Sequence, residues 1–381
     1  MYPLPDYNGG SIVNLMSSIS KSFGSRPKYK TLKTLSPKEL DSRNIVLIVI
    51  DGLGYEFLKK NGKGTAFEKY LLGRITSVFP PTTAAAITTF QTGVAPQQHA
   101  VTGWFMNIKE MGIIGMPLPF RSRAGAFDLS KHIKIKDVIN RKGFSDFLKA
   151  KTFVVTMKDI ANSEYSILMA GKSKRMAYKT LNGFFSQISK AVKSGKRRKY
   201  IYAYWPQLDS ICHHRGVESK KSRKHLRELN SGLKKFLKQI EGTDTTVIVT
   251  ADHGLVDFKE IKMEKHPQMK KCLTLPLCGE PRAAFCYVHP SKSREFKEYV
   301  KKKLKNKLEI FQSEELVKKG WFGLFEPNEK LFDRIGDYIL IAKNNYSIKD
   351  CVLGEKKHNF VAHHGGLSKE EMHVPLIVIK K

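Results

Sequence analysis

The sequence predicts an α/β protein built on a doubly wound, mostly parallel sheet with helices on both faces, plus a small inserted α+β subdomain. Three observations carry that expectation. Uninterrupted apolar runs recur at Ile45–Ile50, Thr152–Thr156, Tyr200–Tyr204, Thr246–Thr250 and Val374–Ile379. Runs without alternation are the pattern of strands buried on both faces, as in parallel sheets. Helical patterns lie between them, clearest in Ser222–Ile240, where Leu226, Leu229, Leu233, Phe236, Leu237 and Ile240 recur at three- and four-residue steps. Strands alternating with helices over such a length make a sheet covered on both sides. Lastly, the first run ends in Asp51 followed by Gly52 and Gly54, and Asp252 ends another. Ligands in such folds bind beyond the carboxyl ends of the strands.

The elements fall into three stretches. Residues 1–43 carry no long periodic segment and are expected to pack on the core as an N-terminal extension. Residues 44–254 and 342–381 hold the strand-end motifs and form the expected core. Residues 255–341 differ in texture: a strand-like run at Ala283–Val288 precedes a Lys-rich helix around Ser293–Lys307, and a Phe/Gly-rich segment follows at Gly320–Phe325. This stretch reads as an inserted cap.

Composition narrows the class. The chain has 381 residues, 41% hydrophobic and 10% aromatic, which is globular rather than disordered. Its apolar runs stop well short of the ~20 residues of a membrane span. The five cysteines (Cys212, Cys272, Cys278, Cys286 and Cys351) are odd in number and form no C-x-x-C pair, which argues against a disulfide framework or a cysteine zinc finger. The N-terminus has no basic segment leading into an apolar one, so a cytoplasmic setting is expected. With 67 Lys+Arg against 35 Asp+Glu, the formal charge of +32 favours anionic partners. The basic clusters at 196–199, 220–224 and 301–307 have no interleaved aromatics, so they lack the stacking platforms of a single-strand binder. They read as solvated faces.

The chemistry concentrates in five short segments. They are D-G-L-G at Asp51; F-P-P-T-T-A-A-A-I-T-T-F-Q-T-G, containing Thr82 and Thr83; L-D-S-I-C-H-H-R-G, with Asp209 and His213 four residues apart; T-A-D-H-G, with Asp252 and His253; and A-H-H-G-G, with His363 and His364. Carboxylate and imidazole ligands suit zinc and similar divalent ions. Six of them are too many for one tetrahedral ion and suit a pair, the usual arrangement for in-line displacement at phosphorus. A threonine opening a helix fits the nucleophile's role, because free backbone N–H groups there favour an alkoxide and a phosphoryl group. Singly, each piece has a plainer reading as a turn former, an N-cap or a satisfied histidine. Their joint occurrence and order are what carry weight.

That order resembles the alkaline phosphatase superfamily, specifically its type I phosphodiesterase/nucleotide pyrophosphatase branch, over about Ile45 to Val378. The resemblance implies an alkaline phosphatase-like core, metal-dependent hydrolysis of phosphoesters, foremost phosphodiesters, and two divalent ions, zinc first with manganese or iron possible. It implies that Thr83 is transiently phosphorylated, since Thr83 lies nine residues before Thr92 of the T-G pair, the spacing found in that family. Asp51, Asp252 and His253 match the ligands of the ion that also binds Thr83. Asp209, His213 and His364 match those of the other. His214 and His363 adjoin ligands and are assigned supporting roles. The family places a phosphate-contacting asparagine twenty-one residues after the nucleophile; here that position is Trp104, and Asn107 is the nearest replacement. Trp104 and Asn107 are therefore the expected substrate-binding residues.

Three tempting motifs fail. A-G-K-S at Ala170–Ser173 lacks the first glycine of a phosphate-binding loop, whose place is held by Ser166. C-G-E-P-R at Cys278–Arg282 has one residue too many for the sulfatase signature C-x-P-x-R. D-G-L-G-Y lacks the third glycine of a dinucleotide fingerprint. The alternatives to diester hydrolysis are a phosphomonoesterase, phosphomutase or phosphonoacetate-hydrolase-like enzyme of the same superfamily, or a basic nucleic-acid-binding protein on an inactive core. The expected partner is a small anionic phosphoester, with no stable nucleic-acid complex; the sequence leaves the oligomeric state open.

Overall fold

The computed structural model describes residues 2–355 and 359–381. Its centre is a seven-stranded sheet of β1 (Asn44–Ile50), β2 (Leu71–Thr76), β3 (Lys151–Met157), β4 (Lys174–Tyr178), β5 (Lys199–Trp205), β6 (Thr245–Thr250) and a last strand at His373–Lys380. With the four strands of a second sheet, β7 (Cys278–Glu280), β8 (Ala283–Cys286), β9 (Leu308–Gln312) and β10 (Tyr338–Ala342), that last strand is β11. The central order is β2-β11-β6-β1-β5-β3-β4. All neighbours run parallel except β11, which is antiparallel to both β2 and β6. Every residue of β1, β5 and β6 is buried, so both sheet faces are covered, as the uninterrupted apolar runs predict.

All five expected strands form. The two edge strands were not legible as such runs. In β2 buried and exposed positions alternate, with Leu72 and Arg74 outward, and β4 exposes Lys174, Arg175 and Ala177. Charges on a sheet edge discourage pairing with another chain, and they also erase the apolar run. No helix among the described residues is long and apolar enough to cross a membrane.

Five helices matter below: α1 (Ile12–Ser22), α2 (Thr83–Thr92), α3 (Leu181–Lys193), α4 (Gln207–Arg215) and α5 (Lys220–Gln239). In α5 the three- and four-residue apolar steps bury Leu226, Leu229, Leu233, Phe236 and Leu237, while its charged positions face outward. In α2, Ala84 through Thr92 are all buried, which its small side chains allow. The N-terminal residues are tied to distant parts of the chain. The Tyr7 hydroxyl donates to the Trp321 carbonyl (2.9 Å) and the Tyr29 hydroxyl to Gln98 Oε1 (2.7 Å).

The second sheet is antiparallel in the order β7-β8-β10-β9. Its faces alternate as strand geometry requires. Ala284, Cys286, Leu340 and Ala342 pack with Phe296, Val300 and Leu304 of the Lys-rich segment, which forms a helix at Ser293–Tyr299 and a wider turn at Val300–Leu304. Ala283, Phe285, Ile339 and Ile341 pack the other way, against Phe79, Leu367 and Met372. That second face brings the tight β7–β8 hairpin against the segments carrying Thr83 and His364. Gly103 and Gly279 cross so closely that a Cβ on Gly103 would lie 2.6 Å from the Gly279 Cα.

Candidate active site

Strand register assembles the site. Val49 pairs with Thr250 and Ile50 with Trp205, so the residues just beyond these strands, Asp51, Asp252 and the start of α4, emerge side by side. The Asp51 N–H donates to the Trp205 carbonyl (2.9 Å), and the Asp209 N–H donates to the Asp51 carbonyl (3.1 Å). Gly52 has φ +74, and a Cβ there would stand 3.0 Å from the Asp209 Cα; its N–H donates to Asp252 Oδ1 (3.1 Å). Only glycine meets both demands, which gives the D-G pair its physical reason.

Thr83 is the first residue of α2 and Thr82 its N-cap. Thr83 Oγ1 lies 3.1 Å from His253 Nε2, which is also 3.4 Å from Asp51 Oδ1 and 3.3 Å from Asp252 Oδ2. The His253 ring stacks on His364, centroids 3.8 Å apart. His213 Nε2 lies 3.3 Å from Asp209 Oδ1, and its Nδ1 lies 2.6 Å from the Ala362 carbonyl, which fixes the ring. Two overlapping groups have ligand atoms within 4.8 Å of one another: Asp51, Asp252 and His253, and Asp209, His253 and His364. The expected sets are thus adjacent, with His253 between them and His213 flanking the second through Asp209.

The electrostatics of these residues fit cations. Asp51 Oδ1, Asp209 Oδ1, Asp252 Oδ2 and His364 Nδ1 are buried atoms without a hydrogen-bond partner among the described residues, although imidazole nitrogens stand near the three carboxylates. Orphaned buried acceptors are costly, and these four belong to the two overlapping groups of candidate metal ligands. Burial pushes the Asp51 carboxyl well above the usual range, and the charges of Asp252 and Asp209 add to it. Burial does the same to Asp209, aided by Asp252 and Glu280. Burial drives His253 and His364 the other way, toward neutral imidazole, the ligating form. Tyr204 donates its hydroxyl to Asp51 Oδ2.

Two cavities meet here. The larger, about 1080 Å³, runs from Asp51 and Thr83 past Ile87 and Phe120 to Met157 and Tyr165. A smaller one of about 310 Å³ is lined by Phe105, Leu277, Glu280, His213 and His364 among others. Both are lined by Thr83, Trp104, Asp209, Ser210 and His214. Trp104 lines both cavities, with 37% of its surface exposed. Asn107 does not. Its amide donates to the Asp333 carbonyl (3.0 Å), and it is not among the residues lining either cavity, because β-pairing of Met106–Ile108 with Ile113–Met116 holds it against the second sheet's side. The structure thus places the expected replacement for the family's asparagine away from both cavities. His214 lines both cavities, and the His363 ring packs on Phe258 at 4.4 Å.

Sequence reasoning missed Glu280. It lies in the very C-G-E-P-R segment set aside as a failed sulfatase signature, and nothing local marks it. Its Oε1 accepts from the Trp104 N–H (2.7 Å) and from the Thr82 hydroxyl, so it braces both the nucleophile's turn and the Trp104 loop.

The sheet, its strand-end acids and the threonine beside them agree with a phosphoester hydrolase of the alkaline phosphatase superfamily, the class that the family match shows. The family model for type I phosphodiesterase/nucleotide pyrophosphatase matches residues 45–367, and the chain belongs to that family. Among solved structures, it is similar to murine ectonucleotide pyrophosphatase/phosphodiesterase 5, with TM-score 0.67, 16% identity and 87% of each chain covered. An inactive variant of the murine protein in complex with AMP matches at TM-score 0.65, 16% identity and 87% of each chain. Phosphonoacetate hydrolase from Sinorhizobium meliloti 1021, in complex with phosphonoformate, matches at TM-score 0.64 and 16% identity, over 88% of this chain and 90% of that one. These likenesses are of fold. No curated protein matches the sequence.

Proposed function

We propose that this enzyme hydrolyses phosphodiesters through a covalent phosphothreonine at Thr83. The observation that carries the reading is the meeting of two cavities at Thr83, both also lined by Trp104. A diester has two ester arms to place and a monoester only one. The larger cavity, with its mixed apolar and polar wall, takes the retained arm, and the smaller one takes the leaving alcohol. A nucleotide arm, of the kind AMP represents in the murine relative, suits a cleft of this volume.

Asp51, Asp252, His253 and Thr83 would hold one divalent ion and Asp209, His213 and His364 the other, zinc by family resemblance. When bound, such a pair supplies Lewis acidity that lowers the nucleophile's pKa and stabilises the leaving oxygen. Thr83 Oγ forms a bond to phosphorus as the bond to the leaving ester oxygen breaks, and the proton lost by the threonine hydroxyl leaves with that oxygen as the alcohol. The helix opening at Thr83 offers free N–H groups to the phosphoryl oxygens. Trp104 lines the cavities of both arms. Water then attacks phosphorus in line, the Thr83 Oγ–P bond breaks, and the hydroxyl is regenerated with a proton from that water. The five cysteines, none in a disulfide and four buried, support the expected cytoplasmic setting.

The test compares bis-p-nitrophenyl phosphate with p-nitrophenyl phosphate on zinc-loaded protein. The expected outcome is a higher kcat/KM for the diester. A preference for the monoester would overturn the diester reading and move the enzyme to the phosphatase or mutase side of the superfamily.

A further inference from the structure

Glu280 stands at the junction of three site segments. Its Oε1 accepts the Thr82 hydroxyl and the Trp104 N–H, as above, and its side chain lies against Gly365, where a Cβ would come within 2.6 Å of the Glu280 Cβ. Gly365 adjoins His364 and has φ +102, so that turn is shaped to admit the glutamate. Glu280 is buried and lines the smaller cavity with Thr83, Asp209 and His364. Among the described residues no cation pairs with it: Arg282, two positions on, is committed to both oxygens of Glu371. Both of its hydrogen bonds fall on Oε1, and among the described residues no group hydrogen-bonds to Oε2.

A carboxylate kept in place by uncharged donors, without a paired basic side chain among the described residues, on the wall of a phosphoryl site has an unusual consequence. It repels whatever negative charge the substrate brings. A phosphodiester brings one charge to that site. A phosphomonoester, whose second ionisation falls at about pH 6, brings close to two above neutrality. We infer that Glu280 is a specificity-determining residue, whose charge on the smaller cavity selects phosphodiesters against phosphomonoesters. This is discrimination by a repulsive element rather than by an added contact, and it rests on the diester reading of the site. Burial raises the Glu280 pKa to about 7, so the group is ionised in an assay at a pH well above that value.

The experiment measures kcat/KM for bis-p-nitrophenyl phosphate and p-nitrophenyl phosphate at a pH above 8, for zinc-loaded wild type, Glu280→Gln and Glu280→Asp. Glutamine preserves the acceptor at Oε1 and the volume while removing the charge. The expected result is that Glu280→Gln raises the monoester-to-diester ratio by about tenfold or more, the size of one buried like-charge repulsion, while Glu280→Asp keeps the ratio near wild type. Circular dichroism and bound zinc confirm folded, loaded variants. If Glu280→Gln leaves the ratio unchanged, or lowers both rates in proportion, the inference is overturned and Glu280 is a brace for the Thr82 turn. A wild type that prefers the monoester overturns the diester reading together with this inference. A wild type that prefers the diester beside an unresponsive Glu280→Gln overturns the inference alone.

Discussion

Thr83 shows how little a residue's own chemistry decides. Several threonines lie in the same helix, and Thr88, Thr89 and Thr92 are buried with hydroxyls engaged by Ala84, His99 and Thr88. Thr83 alone opens the helix, partly exposed to both cavities and 3.1 Å from His253. Its neighbour Thr82 spends its hydroxyl on Glu280, which removes it as a rival nucleophile. Thr83→Ala is expected to lower turnover of a diester by about a thousandfold or more, as loss of a covalent nucleophile does, with zinc content retained because the other ligands remain. Metal analysis beside rate measurement checks this. Turnover near wild type would reject Thr83 as the nucleophile.

Elements bring such residues to one point and hold them there. The parallel register of β1, β5 and β6 delivers Asp51, Asp252 and α4. Arg282 locks the second sheet to the histidine turn: it holds Glu371, whose Oε1 in turn accepts the Gly366 N–H (2.7 Å). The turn after α2 is pinned by His99, fully buried, whose Nδ1 accepts the Val101 N–H (3.0 Å) while Nε2 meets Thr89 Oγ1 (3.1 Å). That pattern needs the neutral ring, and burial lowers its pKa to about 3. Unfolded, the group titrates near 6.5. Between those values the unfolded state binds a proton that the folded state does not, so stability is lost as pH falls from about 6.5 toward 3. His99→Gln is expected to make stability less steeply dependent on pH across that window. Urea unfolding at a series of pH values measures the slope, and an unchanged slope would contradict the assignment.

At the scale of the whole molecule the charge has a direction. Of the outward side chains of α5, eight are Lys or Arg and one is Glu. Lys221, at its start, lines the larger cavity, as does Arg215 at the end of α4. A basic surface leading to a cleft concentrates anionic substrates and speeds their capture. Raising salt from about 0.02 to about 0.5 M is therefore expected to lower kcat/KM for an anionic diester several-fold, because the screening length shortens from roughly 20 Å to a few Å. Stopped-flow or steady-state assays across that range check it. No salt dependence would make the charge a bystander to catalysis.

The sequence by itself determined the sheet's central strands, the position of the acids and histidines at their ends, and the family. A strand buried on both faces must be apolar throughout, and a residue placed just past its end needs no further contact to be found. The edge strands β2 and β4 escaped because their sequences answer to solvent as well as to the core. Asn107 lies off both cavities although it is close in sequence to Trp104, because closeness in sequence says nothing about which way a β-pair turns a side chain. Only the tertiary structure decided the role of the β7–β8 hairpin. Glu280 lies 198 residues from Thr82 and 176 from Trp104, yet bonds to both. Packing of one sheet on another sets such contacts, and no local pattern in the chain encodes them.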